Sequence, residues 1–277
     1  KEYKEKESFM PTGSIALLVV CAFMFAPLFL AEFARVRALP TGENFFLQSR
    51  TMSIFPMYAT VFATWMSAFA FMGAISYFYE QGPIYMTTIG WDALFALLFY
   101  VLGRRIWYYG KINGYTTATD FFHDIYDSKV LDIIVTAVSF IFTTLYLELQ
   151  LVGGLLLIQV ATEGYISWQI SGLFFFIILV IYLWAGGLRA VALADTFYIV
   201  FIIVTILACG FFFMEFAGGI ENVFEGVMEK GREYVTLGSP NRSILWICLF
   251  IIVPVGAFMG PQMWIRNYAA REERNFE

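Results

Sequence analysis

Four carboxylates stand inside or beside long apolar runs, and they are the side chains best placed to do chemistry: Glu32, Asp92, Glu148 and Asp195. A carboxylate at mid-membrane depth costs at least ~2.5 kcal/mol in a helix, so its default role is to hold a cation, a proton or a solute. Asp195 is the most telling of the four. It sits in the run AGGLRAVALADTFYIVFII, where Arg189, six residues earlier, lies off its helical face. Its charge therefore needs a bound cation, or hydroxyls such as Thr196 and Thr64, to stabilise it. Asp92 opens the run IGWDALFALL. There it either faces an outer vestibule and meets an incoming solute or sits at the outer boundary within reach of water. Glu32 lies next to Arg35 at a helix end, which an interfacial ion pair explains. Glu148, in LYLELQLVGG, points to a different face from Gln150, leaving an interior polar contact or a ligand role open. His123, the one histidine, lies beside Asp120 and Asp124 in a polar loop and reads as a solvated side chain.

The elements that must position these acids are membrane helices. The chain has 277 residues, 60% of them hydrophobic and 14% charged, with a mean hydropathy of +0.72, far outside the range of a soluble domain. A span needs about 20 largely apolar residues. On that criterion about seven segments qualify, at roughly 13–34, 54–79, 84–107, 130–161, 167–186, 189–217 and 244–266. The runs are long and continuous, unlike the segments of about 10 alternating residues in a barrel, so the fold class is all-α integral membrane. Cys21, Cys209 and Cys248 lack metal or redox spacing and read as small core residues. A net charge of −5 without a basic patch excludes nucleic acid as a partner. No clustered histidines or nucleophile–base pair are visible, so an enzyme is not expected, and no cofactor is expected either. Partners should be lipids, ions and small solutes. The chain begins KEYKEKES, without methionine or a cleavable leader, and the natural N-terminus is expected upstream.

Two of the spans read as irregular. The stretch from Tyr58 to Tyr79 has no charge inside it, yet carries Ala63, Thr64, Ser67, Ala68, Ala70 and Gly73 among its aromatics, a surface suited to other helices rather than to lipid. Small and hydroxyl residues at this depth let a helix open locally and free carbonyl oxygens for a cation. The last span contains Pro254, Gly256, Gly260 and Pro261, which predicts an interrupted helix and a second solute-lining element, a plain proline kink being the alternative.

Basic residues are retained on the cytoplasmic side. With the N-terminus outside and the C-terminus inside, the inner segments hold Arg35, Arg37, Arg50, Arg104, Arg105, Lys111, Lys129, Arg189, Arg266, Arg271 and Arg274. Only Lys1, Lys4, Lys6, Lys230, Arg232 and Arg242 are then left outside. The loop after the third span has Gly114 as a breaker and Thr119 or Asp120 as caps, which predicts a short helix. In the outer loop, the spacing of Ile220, Val223, Phe224 and Val227 predicts a short amphipathic helix.

Six strings, in order, resemble the sodium:solute symporter family: FFLQSRTM at 45–52, ATWMSAFAFMG at 63–73, GYTTATDFFHDIYDS, LYLELQLVGG, GGLRAVALADTFY and GPQMWIRNYAAREER. The resemblance implies a LeuT-like inverted-repeat core with alternating access around a mid-membrane site. It divides one membrane domain, 1–277, into an extra N-terminal helix at 13–34, a first five-helix repeat at 54–217, an outer loop at 218–243 and the start of the second repeat at 244–277. It further implies sodium held by the backbone carbonyls of Ala63 and Met66 with Asp195 beside them. The solute pocket would be lined by Trp65, Phe69, Ala70 and Asp92, with Pro254 and Gly256 of the interrupted last span as the further candidates that the breakers supply. Apolar Phe69 and Ala70 stand where sugar carriers of the family are polar, so a carboxylate or an amino acid fits better than a sugar.

The resemblance ends after the sixth core helix, which makes the core incomplete. A C-terminal half or a second chain is expected to complete it. The function implied is sodium-coupled symport of a small organic solute in a multi-pass inner-membrane protein; the alternative is a symporter-like sensor or structural subunit that does not transport.

Overall fold

The computed structural model describes residues 10–36, 41–81, 85, 88–164, 166–231 and 240–277. Among them every regular element is helical, as the long apolar runs predict. The helices are α1 (Met10–Val36), α2 (Gly42–Leu47), α3 (Ile54–Trp65), α4 (Ala74–Gln81), α5 (Ile89–Leu98), α6 (Arg104–Asn113) and α7 (Ala118–Tyr126). After these come α8 (Lys129–Ala161), α9 (Trp168–Phe216), α10 (Ile220–Lys230), α11 (Pro240–Phe258) and α12 (Pro261–Ala269). Lys1, Lys4, Lys6, Arg37, Arg232 and the start of the third expected span at 84 lie outside the described residues.

Three helices are long and apolar enough to cross a membrane among the described residues, at Leu18–Val36, Lys129–Ala161 and Trp168–Phe216. The number rises to five if two bent pairs, Ile54–Trp65 with Phe69–Glu80 and Trp246–Phe258 with Pro261–Ala269, each make one span. None of the most apolar window of α8 is buried and only 6% of that of α9, so both present apolar side chains outward, as lipid requires and water does not.

The 49 residues of α9 hold two of the expected segments, and Gly187 separates them. Its φ of 53° and ψ of −149° are open to glycine alone, and a Cβ there would collide with the Phe45 carbonyl of α2. Around this turn Ala31 and Ala34 of α1 meet Ala190, small residues that let the helices approach closely. Higher up, Pro27 removes the amide that would bond the Phe23 carbonyl of α1, and the Tyr198 hydroxyl of α9 supplies the missing donor at 2.5 Å.

One end of the bundle is a closed plug. Leu47, Ile106, Tyr115, Ala118, Trp264 and Tyr268 form one buried cluster there, and Met52, Met57, Trp107, Ala269, Ala270 and Phe276 form its neighbour. A single parallel bridge joins Met52 to Ala270, with Met52 N–H on the Ala269 carbonyl at 3.1 Å and Arg271 N–H on the Met52 carbonyl at 2.9 Å. The Trp107 indole donates to the Ala270 carbonyl at 2.8 Å. Arg50 reaches the Tyr115 carbonyl at 2.8 Å, the Tyr268 carbonyl at 3.4 Å and Glu43 at 2.8 Å. The chain enters α3 through a left-handed turn at Gln48, Ser49 and Arg50, with φ of 53°, 53° and 54°. Each non-glycine residue in that region costs about 1–2 kcal/mol.

The loop between α6 and α7 forms the expected short helix, with one correction. Thr117, not Thr119 or Asp120, is its N-cap, and Asp120 completes a capping box by accepting from the Thr117 amide. Gly114 ends α6 in the left-handed conformation, and α10 forms where the outer-loop pattern predicts it.

Two substitutions separate these backbone demands. Gly187→Ala should destabilise by about 2–3 kcal/mol, because both its conformation and its space exclude a side chain. Gln48→Gly should stabilise by about 1 kcal/mol, since it relieves a left-handed residue and deletes a buried Oε1 that has no partner. Thermal melts of the detergent-solubilised protein, followed by tryptophan fluorescence, check both: the melting temperature falls for the first and rises for the second.

Candidate functional site

The helix that begins at Ile54 stops at Trp65, and the chain resumes through a wide π-type turn at Phe69–Gly73 with its axis bent by 54°. Met66, with φ of −76° and ψ of 67°, is the centre of an inverse γ-turn closed by Ser67 N–H on the Trp65 carbonyl at 2.9 Å. Small residues at Ala63, Thr64, Ser67 and Ala68 leave room for this opening. The Ala70 amide turns to the Ser67 carbonyl at 3.0 Å, the Ala68 amide to Gln150 Oε1 at 2.8 Å, and the Thr64 carbonyl accepts from the Tyr146 hydroxyl at 2.8 Å. The amides that would ordinarily bond the carbonyls of Ala63 and Met66, those of Ser67 and Ala70, are thus directed to Trp65 and Ser67 instead. Two carbonyl oxygens released within one turn are what an irregular helix offers a cation.

One turn earlier, Thr60 ties this helix to Asp195. Its hydroxyl donates to Asp195 Oδ2 at 2.5 Å and accepts from Arg266 Nε at 3.1 Å. Arg266 Nη2 stands 3.9 Å from the same carboxylate oxygen, and Nη1 donates to the Gln262 carbonyl at 2.9 Å. This corrects the sequence expectation for the acid's partners. Thr196 and Thr64 instead bond carbonyls of their own helices, Ala192 at 2.6 Å and Thr60 at 2.8 Å. Sequence reasoning missed both Thr60 and Arg266. The arginine ends an apolar run and looks there like a helix-end charge; the signal is the Gly260–Pro261 pair about one and a half turns before it, which redirects α12.

Above the break lies a cavity of about 430 Å³ whose wall includes Met66, Ser67, Phe69, Ala70, Tyr146 and Gln262. Trp65 and Asp92 are also part of it. Trp65 does not fill the space: its ring stacks on Phe95 at 4.5 Å and its Nε1 donates to Asp92 Oδ1 at 2.5 Å, so the indole is held as a wall. Pro254 and Gly256 do not line it. Pro254 is buried within a continuous α11, Gly256 is exposed, and Val253 and Ala257 face the cavity instead. The interruption falls at the second pair only. Gly260 is extended, with φ of −60° and ψ of 140°, because Pro261 at the first turn of α12 disfavours a helical residue before it.

The remaining polar candidates lie apart. Glu32 pairs with Arg35 at 2.6 Å, as expected. Glu148 is exposed, while Gln150 makes the interior contact. His123 is exposed and meets Asp132 at 2.7 Å rather than Asp120 or Asp124.

The chain is 24% identical over 269 aligned residues to the uncharacterized symporter YhjB of Bacillus subtilis (strain 168), covering 94% of this chain and 54% of that protein. It is 29% identical over 215 residues to a monocarboxylate transport permease protein of Rhizobium johnstonii, covering 72% and 43%. It is 25% identical over 277 aligned residues to a sodium/pantothenate symporter of Haemophilus influenzae, covering 94% and 54%. The chain thus spans about half the length of the relatives it matches. No solved structure gives a significant match. The sodium:solute symporter family matches over residues 45–276, from within α2 to the end of the plug, and the chain belongs to that family.

Proposed function

We propose that this chain forms the first part of a carrier that couples sodium to the movement of a small organic solute across a cell membrane. The observation that carries this reading is the interruption of α3, with the Ala63 and Met66 carbonyls free and Asp195 held one turn away through Thr60. The ion would bind at those carbonyls, and its charge would meet the partial negative end of α3. Membership of the family and the names of the relatives support symport.

The solute would occupy the cavity above, against Trp65, Phe69, Ala70 and Asp92. The wall is chiefly aromatic and apolar, which favours a small carboxylate or an amino acid over a sugar. The core would be of the inverted-repeat kind: α1 extra, residues 54–217 the first five-helix repeat, and 244–277 the start of the second, completed by a C-terminal half or a second chain. With the N-terminus outside, the plug built on Arg50 and the Met52–Ala270 bridge is the inner gate, and release to the cytoplasm requires it to part. The process is translocation, with no bond made or broken in the solute.

Uptake of labelled carboxylates and amino acids into proteoliposomes tests the reading, using the protein with its completing half. An inward sodium gradient should drive at least one of them, and Asp195→Asn should raise the half-saturating sodium concentration by about tenfold. Absence of any sodium-driven uptake, with Asp195→Asn indistinguishable from the parent, overturns the carrier in favour of a sensor or structural subunit. Trp65→Phe keeps the ring stack but removes the donor to Asp92, a charge-assisted bond, so the solute KM should rise by about tenfold while sodium half-saturation stays within about twofold.

A further inference from the structure

One face of α8 is fitted to the interruption of α3. Tyr146, Gln150 and Gly153 follow one another at helical spacings of four and three and so share one stripe of α8. Each meets a different part of the break. In an unbroken helix the Ala68 amide would donate to the Thr64 carbonyl, four residues earlier. Here the two halves of that one bond are taken separately: the Tyr146 hydroxyl donates to the Thr64 carbonyl at 2.8 Å, and Gln150 Oε1 accepts from the Ala68 amide at 2.8 Å. Gly153 lets the stripe come close enough to do so, since a Cβ there would collide with the Ala68 methyl.

The orientation of Gln150 is dictated by the break. The Ala68 amide can donate only to the carboxamide oxygen, which leaves Gln150 Nε2 buried without a partner. A buried unpaired donor is costly, and it persists here because the Ala68 amide would otherwise be the orphan. Glu148, two residues away, is exposed and takes no part.

We infer that Tyr146, Gln150 and Gly153 are positioning residues that keep the Ala68–Thr64 bond apart and thereby leave the Ala63 and Met66 carbonyls free. The role of those carbonyls rests on the sodium reading above; the clamp itself does not. With the clamp removed, the Ala68–Thr64 bond closes. The helix then continues through Met66, and the Ser67 amide returns to the Ala63 carbonyl.

Both parts are tested with the double variant Tyr146→Phe/Gln150→Leu in lipid bilayers, and with Leu145→Ala on the exposed side of α8 as a control. In sodium-free buffer the 13C shift of the Met66 Cα, assigned by its loss in Met66→Leu, should move into the helical range in the double variant and stay non-helical in the control. In uptake assays the double variant should raise sodium half-saturation by about tenfold, with the solute KM at saturating sodium within about twofold of the parent. An unmoved Met66 shift overturns the clamp, whatever the uptake data show. A moved shift with equal changes in sodium half-saturation and solute KM overturns its specificity for the cation site. If the shift moves but the parent protein shows no sodium dependence, the clamp stands and the symport reading falls.

Discussion

A helix opened within an apolar layer exposes backbone donors and acceptors that lipid cannot satisfy, and each must find a partner or be paired with something that moves through the protein. The interruption after Trp65 imposes that demand on everything around it. The Ala68 amide and Thr64 carbonyl are met by α8, the Ser67 and Ala70 amides by local turns, and Thr60 by Asp195 and Arg266. Among the described residues the surroundings leave Gln150 Nε2 buried without a partner, and the amides that would ordinarily meet the Ala63 and Met66 carbonyls are turned elsewhere. The packing of α8, α9 and α12 against α3 therefore sets which backbone groups remain available.

At the lower end of α3 the backbone is tied across the fold, while Gln48 Oε1, Trp264 Nε1, the Asn267 carboxamide and the Tyr268 hydroxyl are buried there without partners. The left-handed turn at 48–50 is costly, and it is retained where Arg50 reaches two carbonyls from distant parts of the chain while Asn44 donates to Ser49 at 2.8 Å. Strain in the turn and hydrogen bonds across it thus offset one another within a single short segment. The Met52–Ala270 bridge and the Trp107 indole fix the plug to the backbone that follows α12.

Much of this was legible in the chain because its causes are local. Continuous apolar runs announced α1, α8 and α9, and the small residues around Thr64 and Ser67 announced the opening of α3. The short helices α7 and α10 followed from a breaker and a spacing. What was not legible depended on pairing across the fold. Arg266 looks like a charge at a helix end until the bend at Gly260 turns it toward Thr60, 206 residues away. Spacing alone turns Gln150 to a different face from Glu148, but its partner on α3 lies 82 residues away in the chain. Pro254 and Gly256 looked like a break because their intrinsic preferences are poor for helix. Burial of Pro254 within α11 overrode that preference, while Gly260 and Pro261, adjacent and in that order, could not be overridden.

Asp195 and Arg266 form a long ion pair bridged by the Thr60 hydroxyl. The carboxylate and guanidinium are mostly buried, with side-chain exposures of 19% and 8%, and at 3.9 Å they are near the limit of contact. Arg266 cannot give up its proton, so charge balance in this region requires an anion, and Asp195 is the one at hand. Removing either partner of such a pair leaves an uncompensated buried charge, a loss of about 3–5 kcal/mol. Thr60 supplies what distance withholds. Its single proton goes to Asp195, so it must accept from Arg266, and the direction of both bonds is fixed. Charge balance between α9 and α12 is thereby routed through a hydroxyl on α3, one turn below the free carbonyls, and any shift of α3 against either neighbour must disturb that balance.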